Sequence, residues 1–373
     1  MDTAPPGRAH ATGRVDHLDG IRAIAIVGVL SVHWAAQYLP VGVGGTVGVD
    51  IFFVLSGFII TTVLWSWRGE GSVGTQYAEF LRRRVRRLYP ALLGLCLVTP
   101  LVWLVWPGTP FTSAEVLERS GLAVVQLTWL PEAMGHTMDP FRQSWSLASE
   151  WYFYLLWAPL LLWARRHHPA AALLRWTVVA AVVLYVVPAA LLPAEWFYFS
   201  PPARFGEILA GCALALAMKA RPDLAHRLRL PDWLCGAAVA LVAAYVLFAP
   251  SPSENDAAIV WVGGPLAVAA TLMLVVLGYG GGDGPTLRLL RWRPVALLGQ
   301  VSYSLYLWHW LPVYLLDKDL IRLPGPVLGL LGVCAAALLT ALSYRFLEKP
   351  FLSNRGDALA ASSTSQRTQD RGV

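Results

Sequence analysis

The chain has 373 residues, of which 56% are hydrophobic and only 14% are charged, whereas soluble globular domains carry about 25% charged residues. This composition excludes an ordinary soluble domain and indicates a membrane protein. The net charge of +6 does not indicate nucleic-acid binding, because the basic residues lie between apolar runs, where membrane topology accounts for them. The four cysteines lie inside apolar runs and predict neither disulfides nor a metal site.

Apolar runs of roughly 20 residues recur along the chain, the length at which a helix crosses a hydrocarbon core of about 30 Å. The runs do not alternate strictly between apolar and polar residues, which excludes a membrane β-barrel. The sequence therefore predicts an all-α, polytopic helical bundle with about ten transmembrane helices. The predicted spans are 19–39, 46–66, 88–106, 145–163, 173–193, 204–219, 233–250, 259–278, 295–316 and 326–346.

The positions of lysine and arginine predict the orientation of the spans. A further apolar segment, 113–130, contains two glutamates and an arginine. If it crossed the membrane, the basic stretch at 165–168 and every later basic loop would lie outside, against the positive-inside rule. The segment is therefore predicted not to cross, and both termini are predicted to be cytoplasmic.

The two ends of the chain differ from the rest in composition. Residues 1–15 are rich in Pro, Gly and Ala, and residues 353–373 are polar, so both are predicted to be disordered. The first span is full length and lacks a small-residue cleavage site, so we expect it to be retained rather than removed as a signal peptide. Residues 16–352 then form a single membrane domain.

The first two spans carry ionisable residues at membrane depth, which are costly there unless they face a polar cavity or a partner. Arg22 and His33 lie eleven residues apart in sequence, which on a helix places them within about 20° of one face and about 16 Å apart along the axis. Asp50 begins the second span after a Gly-rich turn and is predicted to reach His33. A carboxylate beside an imidazole orients it as a general base. The alternatives are a hydrogen-bonded core histidine and, for Asp50, a helix N-cap.

The densest basic cluster, FLRRRVRRLYP at 80–90, precedes the third span on the predicted cytoplasmic side. Guanidinium groups pair bidentately with phosphates, so the cluster is a candidate site for a phosphorylated ligand. Contact with anionic lipid headgroups is the alternative explanation.

Two later spans also carry polar side chains in apolar surroundings. Glu150 lies in QSWSLASEWYFYLLW, at the predicted depth of His33, and an unpaired carboxylate there has no purely structural explanation. In VSYSLYLWHW, helical spacing aligns Ser302, Tyr306 and His309 on one stripe, which is predicted to line a pocket.

Taken together, these motifs resemble one family, the polytopic type-3 acyltransferases, which are similar to bacterial O-antigen acetylases and act on hydroxyl groups of sugars and other acceptors. Each motif alone is weak evidence, but seven in the expected order, over about residues 16 to 351, make the resemblance specific. The motifs are LDGIRA with a following histidine, GVDIFFVLSGF, RRxRRLYP, SWSLASEWYFY, RFGEILAG, LGQVSYSLYLWHW and SYRFLEKPF.

The resemblance implies acyl transfer from acyl-coenzyme A as a co-substrate, with no metal and no permanently bound cofactor. We expect the stand-alone form of the family, without the soluble esterase-like domain that some relatives append. The resemblance implies that His33 is the catalytic histidine and that Arg22 is a functional arginine. Arg84 and Arg87 match an Arg-x-x-Arg element of the family. Glu150 matches a functional carboxylate, and Asp50 matches the motif aspartate.

These observations combine into one expected mechanism. Cytoplasmic arginines bind the coenzyme A phosphates, and the pantetheine arm runs along the first span to His33. His33, oriented by Asp50, deprotonates an acceptor hydroxyl that attacks the thioester, and Glu150 positions the acceptor or assists proton transfer. The expected acceptor is an exported glycan, a lipid-linked sugar or a glycosylated natural product such as a macrolide. The residues expected to line its pocket are Trp145, Ser302, Tyr306 and His309.

Two alternatives stay open from the sequence. The first keeps the enzyme class but passes the acyl group through a covalent acyl-imidazole on His33. The second is a proton-coupled transporter or flippase, in which the buried His, Asp and Glu side chains form a proton relay. Consumption of a thioester would distinguish the enzyme from the transporter.

Overall fold

The computed structural model describes residues 16–35, 42–67, 71–105, 111–249, 256–316 and 324–352. Within these ranges the chain is helical and contains no strand, in agreement with the all-α prediction. The predicted disordered ends, 1–15 and 353–373, lie outside the described residues.

The main helices are numbered here in chain order, and short helical turns connect them. The helices are α1 (Asp16–Leu30), α2 (Val47–Ser66), α3 (Val73–Val105), α4 (Ser113–Val124), α5 (Trp145–His167), α6 (Ala170–Leu191), α7 (Pro201–Ala220), α8 (Asp232–Phe248), α9 (Gly264–Tyr279), α10 (Arg293–Gln300), α11 (Ser302–Trp308), α12 (Trp310–Leu315) and α13 (Gly325–Ser343). The short α-helices are Trp129–Ala133, Ala194–Phe199, Leu224–Leu228, Asp256–Ala258, Pro285–Arg291 and Lys349–Leu352, the 3-10 turns are Val43–Thr46 and Arg142–Ser144, and the π-helical turns are Ser31–Ala35, Ile259–Gly263 and Tyr344–Glu348.

Five helical segments of the described chain are long and apolar enough to cross a bilayer. This finding supports a helical membrane protein, whereas the number of ten spans and the cytoplasmic position of both ends stay predictions. The helix α8 is apolar but shorter than these five. The five segments are Val43–Ser66, Val73–Val105, Ala170–Leu191, Ile259–Tyr279 and Gly325–Phe351.

The segment predicted not to cross the membrane contains the short helix α4. This helix has 12 residues, or about 18 Å, less than the roughly 30 Å of a hydrocarbon core. A capping box fixes its start, because Thr112 Oγ1 accepts the N–H of Glu115 at 3.2 Å and Glu115 Oε2 accepts the N–H of Thr112 at 2.7 Å. The helix packs against α3.

The helix α3 begins earlier than the predicted third span. It has 33 residues and is about 50 Å long, so one end extends beyond a hydrocarbon core. That end carries the arginine cluster, which is therefore continuous with the span in one helix that contains Pro90 and Pro100. Arg84 and Arg87, three residues apart, consequently share one face.

The helices α2 and α7 pack closely against each other, and two glycines make this approach possible. A side-chain carbon added at Gly57 would overlap the carbonyl oxygen of Ile208, and one added at Gly211 would overlap the carbonyl oxygen of Val54. Small residues are the usual contact surface between helices in lipid. On its other side α7 packs against α6, so that α7 lies in the interior of the bundle.

The predicted continuous span 295–316 is broken into three short helices, α10, α11 and α12. Proline lacks an N–H, so it removes a hydrogen bond from the interior of a helix, whereas it costs nothing in the first turn. The break at His309 places Pro312 in the first turn of α12, which gives the interruption a physical cause. The same break leaves the imidazole of His309 at a junction between helices rather than on a regular helical face.

A π-helical turn, Ser31–Ala35, ends the first helix and contains His33. A π turn inserts an extra residue into the helix and changes the direction of the side chains that follow it. The regular 3.6-residue spacing that placed His33 on the face of Arg22 therefore does not hold across this turn.

Candidate active site

Two cavities lie in the interior of the bundle. The first, which we name the arginine cavity, has a volume of about 110 Å³ and opens beside α1, α3 and α5. It brings together the three arginines that the sequence assigns to the donor and three of the other predicted site residues. These residues are Arg22, Arg84, Arg87, Glu150, Ser302 and Tyr306.

The second cavity, which we name the histidine cavity, has a volume of about 440 Å³. It is lined by His33 together with Trp145 and Tyr306, two of the residues predicted for the acceptor pocket. It is also lined by Arg142, Gln143 and Trp310, for which no role was predicted. The larger volume and the mixed polar and aromatic wall suit a sugar better than a lipid tail.

The two cavities share Val49 and Tyr306 in their walls. The phenol of Tyr306 donates to the carbonyl oxygen of Gln143 at 2.8 Å, and its oxygen lies 2.7 Å from Ser146 Oγ. Because a carbonyl oxygen only accepts, the phenol proton goes to Gln143 and the Ser146 hydroxyl donates to the phenol. Tyr306 is thus held in place at the junction of the two cavities.

His33 is hydrogen-bonded to a second histidine. Its Nδ1 lies 2.9 Å from Nε2 of His309, and the two rings are stacked with centroids 5.0 Å apart. The Nδ1 of His309 lies 2.7 Å from the carbonyl oxygen of Tyr306 and must donate to it. With both rings neutral, His309 Nε2 then accepts, His33 Nδ1 donates, and the lone pair of His33 lies on Nε2.

This chain of hydrogen bonds prepares His33 to act as a base. A neutral imidazole has one donor and one acceptor nitrogen, so fixing Nδ1 as the donor fixes Nε2 as the proton acceptor. The fixed carbonyl of Tyr306 at the far end keeps the order of donors and acceptors in place. His309 therefore orients the His33 ring and fixes its tautomer, which is one of the two roles of the carboxylate in a catalytic triad.

Trp310 completes the surroundings of the His33 ring. The indole lies edge-on to the imidazole with centroids 4.2 Å apart. Its Nε1–H donates to Asp139 Oδ1 at 3.0 Å, and Thr137 Oγ1 donates to the other oxygen of Asp139 at 2.7 Å. A carboxylate from the loop before α5 thus fixes the aromatic ring that contacts His33.

The predicted pairing of Asp50 with His33 is wrong. The carboxylate of Asp50 is buried and accepts a hydrogen bond from the buried guanidinium of Arg204, which also lies 3.2 Å from Glu207. Arg204 and Glu207, three residues apart on α7, therefore form an ion pair that Asp50 joins. The physical reason is that Arg204 on α7 lies directly against α2, and a buried carboxylate pairs with the nearest cation.

Glu150 lies in the arginine cavity rather than in the cavity of His33. One carboxylate oxygen accepts the hydroxyl of Ser56, and the other accepts the hydroxyl of Tyr154 at 2.7 Å. The hydroxyl of Ser56 on α2 thus has a polar partner on α5. Ser302 lines the arginine cavity. His309 lines neither cavity and is hydrogen-bonded to His33 instead.

A carboxylate in the short helix Trp129–Ala133 holds Arg142. Glu132 Oε2 lies 3.2 Å from Arg142 Nε, and Glu132 Oε1 accepts the N–H of Met138 at 2.7 Å. Burial raises the pKa of Glu132 from 4.5 to about 7, although Arg142 opposes this shift. No local pattern in the sequence indicated this pair, because the two residues lie in a loop without periodicity.

Comparison with known proteins identifies the family. The family model for the acyltransferase domain matches residues 15–345. The chain is 30% identical to YrhL of Bacillus subtilis (strain 168) over 361 residues, and this alignment covers 89% of this chain and 54% of that protein. It is 28% identical over 374 residues to the peptidoglycan O-acetyltransferase OatA of Listeria monocytogenes, covering 91% of this chain and 56% of that protein.

A third relative is the O-acetyltransferase OatA of Staphylococcus aureus (strain NCTC 8325), 26% identical over 355 residues, covering 89% of this chain and 56% of that protein. The chain thus spans just over half the length of each of these relatives. No solved structure gives a significant match. The match to the family model covers most of the chain, and the chain therefore belongs to the membrane acyltransferase family that this domain defines.

Proposed function

We propose that the protein transfers an acyl group, acetyl in the first instance, from acyl-coenzyme A in the arginine cavity to a hydroxyl of a cell-envelope glycan in the histidine cavity. The observation that carries the proposal is the pair of cavities that meet at Val49 and Tyr306. Arg22, Arg84 and Arg87 line the arginine cavity, and His33 lines the histidine cavity. A peptidoglycan acceptor is favoured because one of the relatives named above, OatA of Listeria monocytogenes, is a peptidoglycan O-acetyltransferase.

The arginine cavity suits the donor. Arg22, Arg84 and Arg87 converge on it from two helices, and guanidinium groups bind phosphates bidentately. Glu150 lies in the same cavity, where its carboxylate would accept an amide N–H of the pantetheine arm. This placement revises the expectation that Glu150 positions the acceptor.

The chemical step requires one base and one thioester. Nε2 of His33 takes the proton of the acceptor hydroxyl as the oxygen forms a bond to the thioester carbonyl carbon. The tetrahedral intermediate then breaks its carbon–sulfur bond, and the thiolate takes the proton back from His33. The products are the O-acyl glycan and free coenzyme A, and His33 returns to its neutral form.

His309 supports this step without touching the substrates. When His33 is protonated at Nε2, its Nδ1–H still donates to His309, so the imidazolium keeps its orientation and its partner. Tyr306 closes the junction through which the acyl group must pass. Direct transfer in this arrangement needs the thioester carbonyl to reach Tyr306 from the donor side.

The test is an assay of the purified protein in lipid nanodiscs with labelled acetyl-coenzyme A and peptidoglycan fragments. Wild-type protein is expected to release coenzyme A and label the glycan, and His33→Ala is expected to abolish both while keeping the thermal unfolding midpoint. His136→Ala, which removes an exposed histidine of a loop, is the matched control and is expected to be fully active. Turnover by His33→Ala would remove His33 from the chemistry, and the absence of thioester consumption by the wild type would overturn the proposed function.

A further inference from the structure

Arg142 is the single arginine or lysine in the wall of the histidine cavity, all of whose lining residues are described. His33 and Arg142 therefore border the same space, a base and a permanent cation. A sugar hydroxyl needs only the base. A cation in the same wall suits an acceptor that also carries an anionic group.

The guanidinium of Arg142 is fixed at one end. Its Nε lies 3.2 Å from Glu132 Oε2, and its central carbon lies 5.5 Å from the centroid of the Phe199 ring. Glu132 is itself 4% exposed and is anchored by the backbone N–H of Met138. Arg142 is thus held by a fixed carboxylate and an aromatic face, as an arginine is when its orientation matters.

The other end of the guanidinium is open. Within the described residues, the two Nη groups of Arg142 have no hydrogen-bond partner, and the side chain is 45% exposed. Terminal guanidinium nitrogens present a planar fork that matches the two oxygens of a carboxylate or phosphate. Inside a cavity bordered by Trp145 and Tyr198, such a pair is screened less than at an open surface.

We propose that Arg142 is a specificity-determining residue that binds an anionic group of the acceptor, so that the acceptor is an acidic glycan rather than a neutral one. This inference rests on the proposed function and deepens it by naming the chemistry of the acceptor. The anionic group is an oxyanion, either a carboxylate on the sugar or the phosphate of a lipid-linked sugar. It pairs with the Nη groups while the hydroxyl that is acylated lies at His33.

The test compares acceptors that differ only in charge, with the full-length protein in nanodiscs and labelled acetyl-coenzyme A. The first pair is a muramic-acid-containing disaccharide and its neutral methyl ester. The second pair is the methyl ester joined to the same lipid through a diphosphate or through an uncharged linker. We expect the wild type to show a KM on the order of tenfold to 100-fold lower for the charged member of one pair, and the pair that responds identifies the oxyanion.

Arg142→Gln is expected to remove this preference by raising the KM for the charged acceptor towards that for the neutral methyl ester, and Arg142→Lys is expected to keep part of the preference. Arg175→Gln, which removes an exposed arginine that borders neither cavity, is the control and is expected to keep the full preference. Equal KM values for charged and neutral acceptors in the wild type, or an unchanged preference in Arg142→Gln, would overturn the inference alone. Failure to consume the thioester with every acceptor would overturn the proposed function as well.

Discussion

His33 Nδ1 lies 2.9 Å from His309 Nε2, and the two residues are 276 positions apart in the chain. The bond joins the π-helical turn at the end of α1 to the break between α11 and α12. Two irregularities in helices that would otherwise be regular thus meet at the candidate base. Irregular helical turns of this kind are frequent at functional sites.

Removing His309 should slow the chemical step. In His309→Ala, the Nδ1–H of His33 loses its acceptor and the ring loses its fixed tautomer. We expect kcat to fall on the order of 100-fold, within the range that general base catalysis contributes, with little change in the KM for acetyl-coenzyme A. Steady-state kinetics would check this, and His309→Gln, whose amide oxygen can accept the same bond, should recover part of the loss. A His309→Ala protein with wild-type kcat would contradict the assigned hydrogen-bond order.

The arginines of α3 should divide into two functional classes. Arg84 and Arg87 line the arginine cavity, whereas Arg82 and Arg83 pair with Glu79 on an exposed face. Arg84→Ala with Arg87→Ala should raise the KM for acetyl-coenzyme A on the order of tenfold or more and change kcat less.

The matched control for that experiment is Arg82→Ala with Arg83→Ala, which removes the same charge from the same helix. It should leave the donor KM near the wild-type value, since exposed ion pairs contribute little. Equal effects of the two double variants would mean that the helix attracts the donor only through its overall charge.

The buried cluster around Arg204 should contribute to stability rather than to turnover. Arg204→Met leaves Asp50 and Glu207 without their cation, and breaking a buried ion pair costs about 3–5 kcal/mol. Asp50→Asn should cost less, because Arg204 keeps Glu207 as a partner. Thermal unfolding in nanodiscs measures both. If Asp50→Asn unfolded normally but lost its kcat, Asp50 would belong to the chemistry after all.

The pH dependence of stability should reveal Glu132. Its pKa in the folded protein, about 7, lies above the ordinary 4.5, so the folded state binds a proton more readily between these values than the unfolded state does. Glu132 therefore adds roughly 3 kcal/mol to the free energy of unfolding below about pH 4.5, and this contribution is lost as the pH rises towards 7.

The groups that face Glu132 are Arg142, Arg119 and Asp139. The measurement is the unfolding midpoint of the wild type and of Glu132→Gln from pH 5 to pH 8. The variant keeps an uncharged side chain of the same shape and should lose this part of the decline. Parallel pH curves for the two proteins would show that Glu132 is not the responsible group.

The contact of α2 with α7 should tolerate no side chain at Gly57. Gly57→Ala places a methyl group against the carbonyl oxygen of Ile208 and must push the two helices apart. We expect a loss of about 1–3 kcal/mol, the usual cost of overpacking. Gly121→Ala, at a helical glycine with open space around it, is the control and should be neutral or slightly stabilising. An unchanged unfolding midpoint for Gly57→Ala would contradict the close approach.

The apolar runs and the spacing of motifs predicted the helical class and the family, since both depend on local sequence. They also identified Arg22, Arg84 and Arg87, which the structure brings into one cavity. The partner of His33 was predicted wrongly because Asp50 is near it in sequence, whereas His309 lies 276 positions away and becomes its neighbour only through the packing of the bundle.

Arg142 was missed for a different reason. It lies between helices, in a short 3-10 turn where neither periodicity nor a motif assigns a role. Its role is indicated by the cavity that it borders and by its ion pair with Glu132, ten residues earlier in the chain. Such a site depends on how a loop folds over the bundle, and composition carries no information about that.

The wall that the two cavities share consists of Val49 and a tyrosine fixed by Ser146 and Gln143. If the cavities open towards opposite faces of the membrane, as the predicted topology has it, then this plug keeps the interior of the protein from becoming a pore for ions or protons. Only the neutral acyl group has to pass Tyr306, while coenzyme A stays in the arginine cavity and the glycan stays in the histidine cavity. The membrane potential would therefore be maintained through each catalytic cycle.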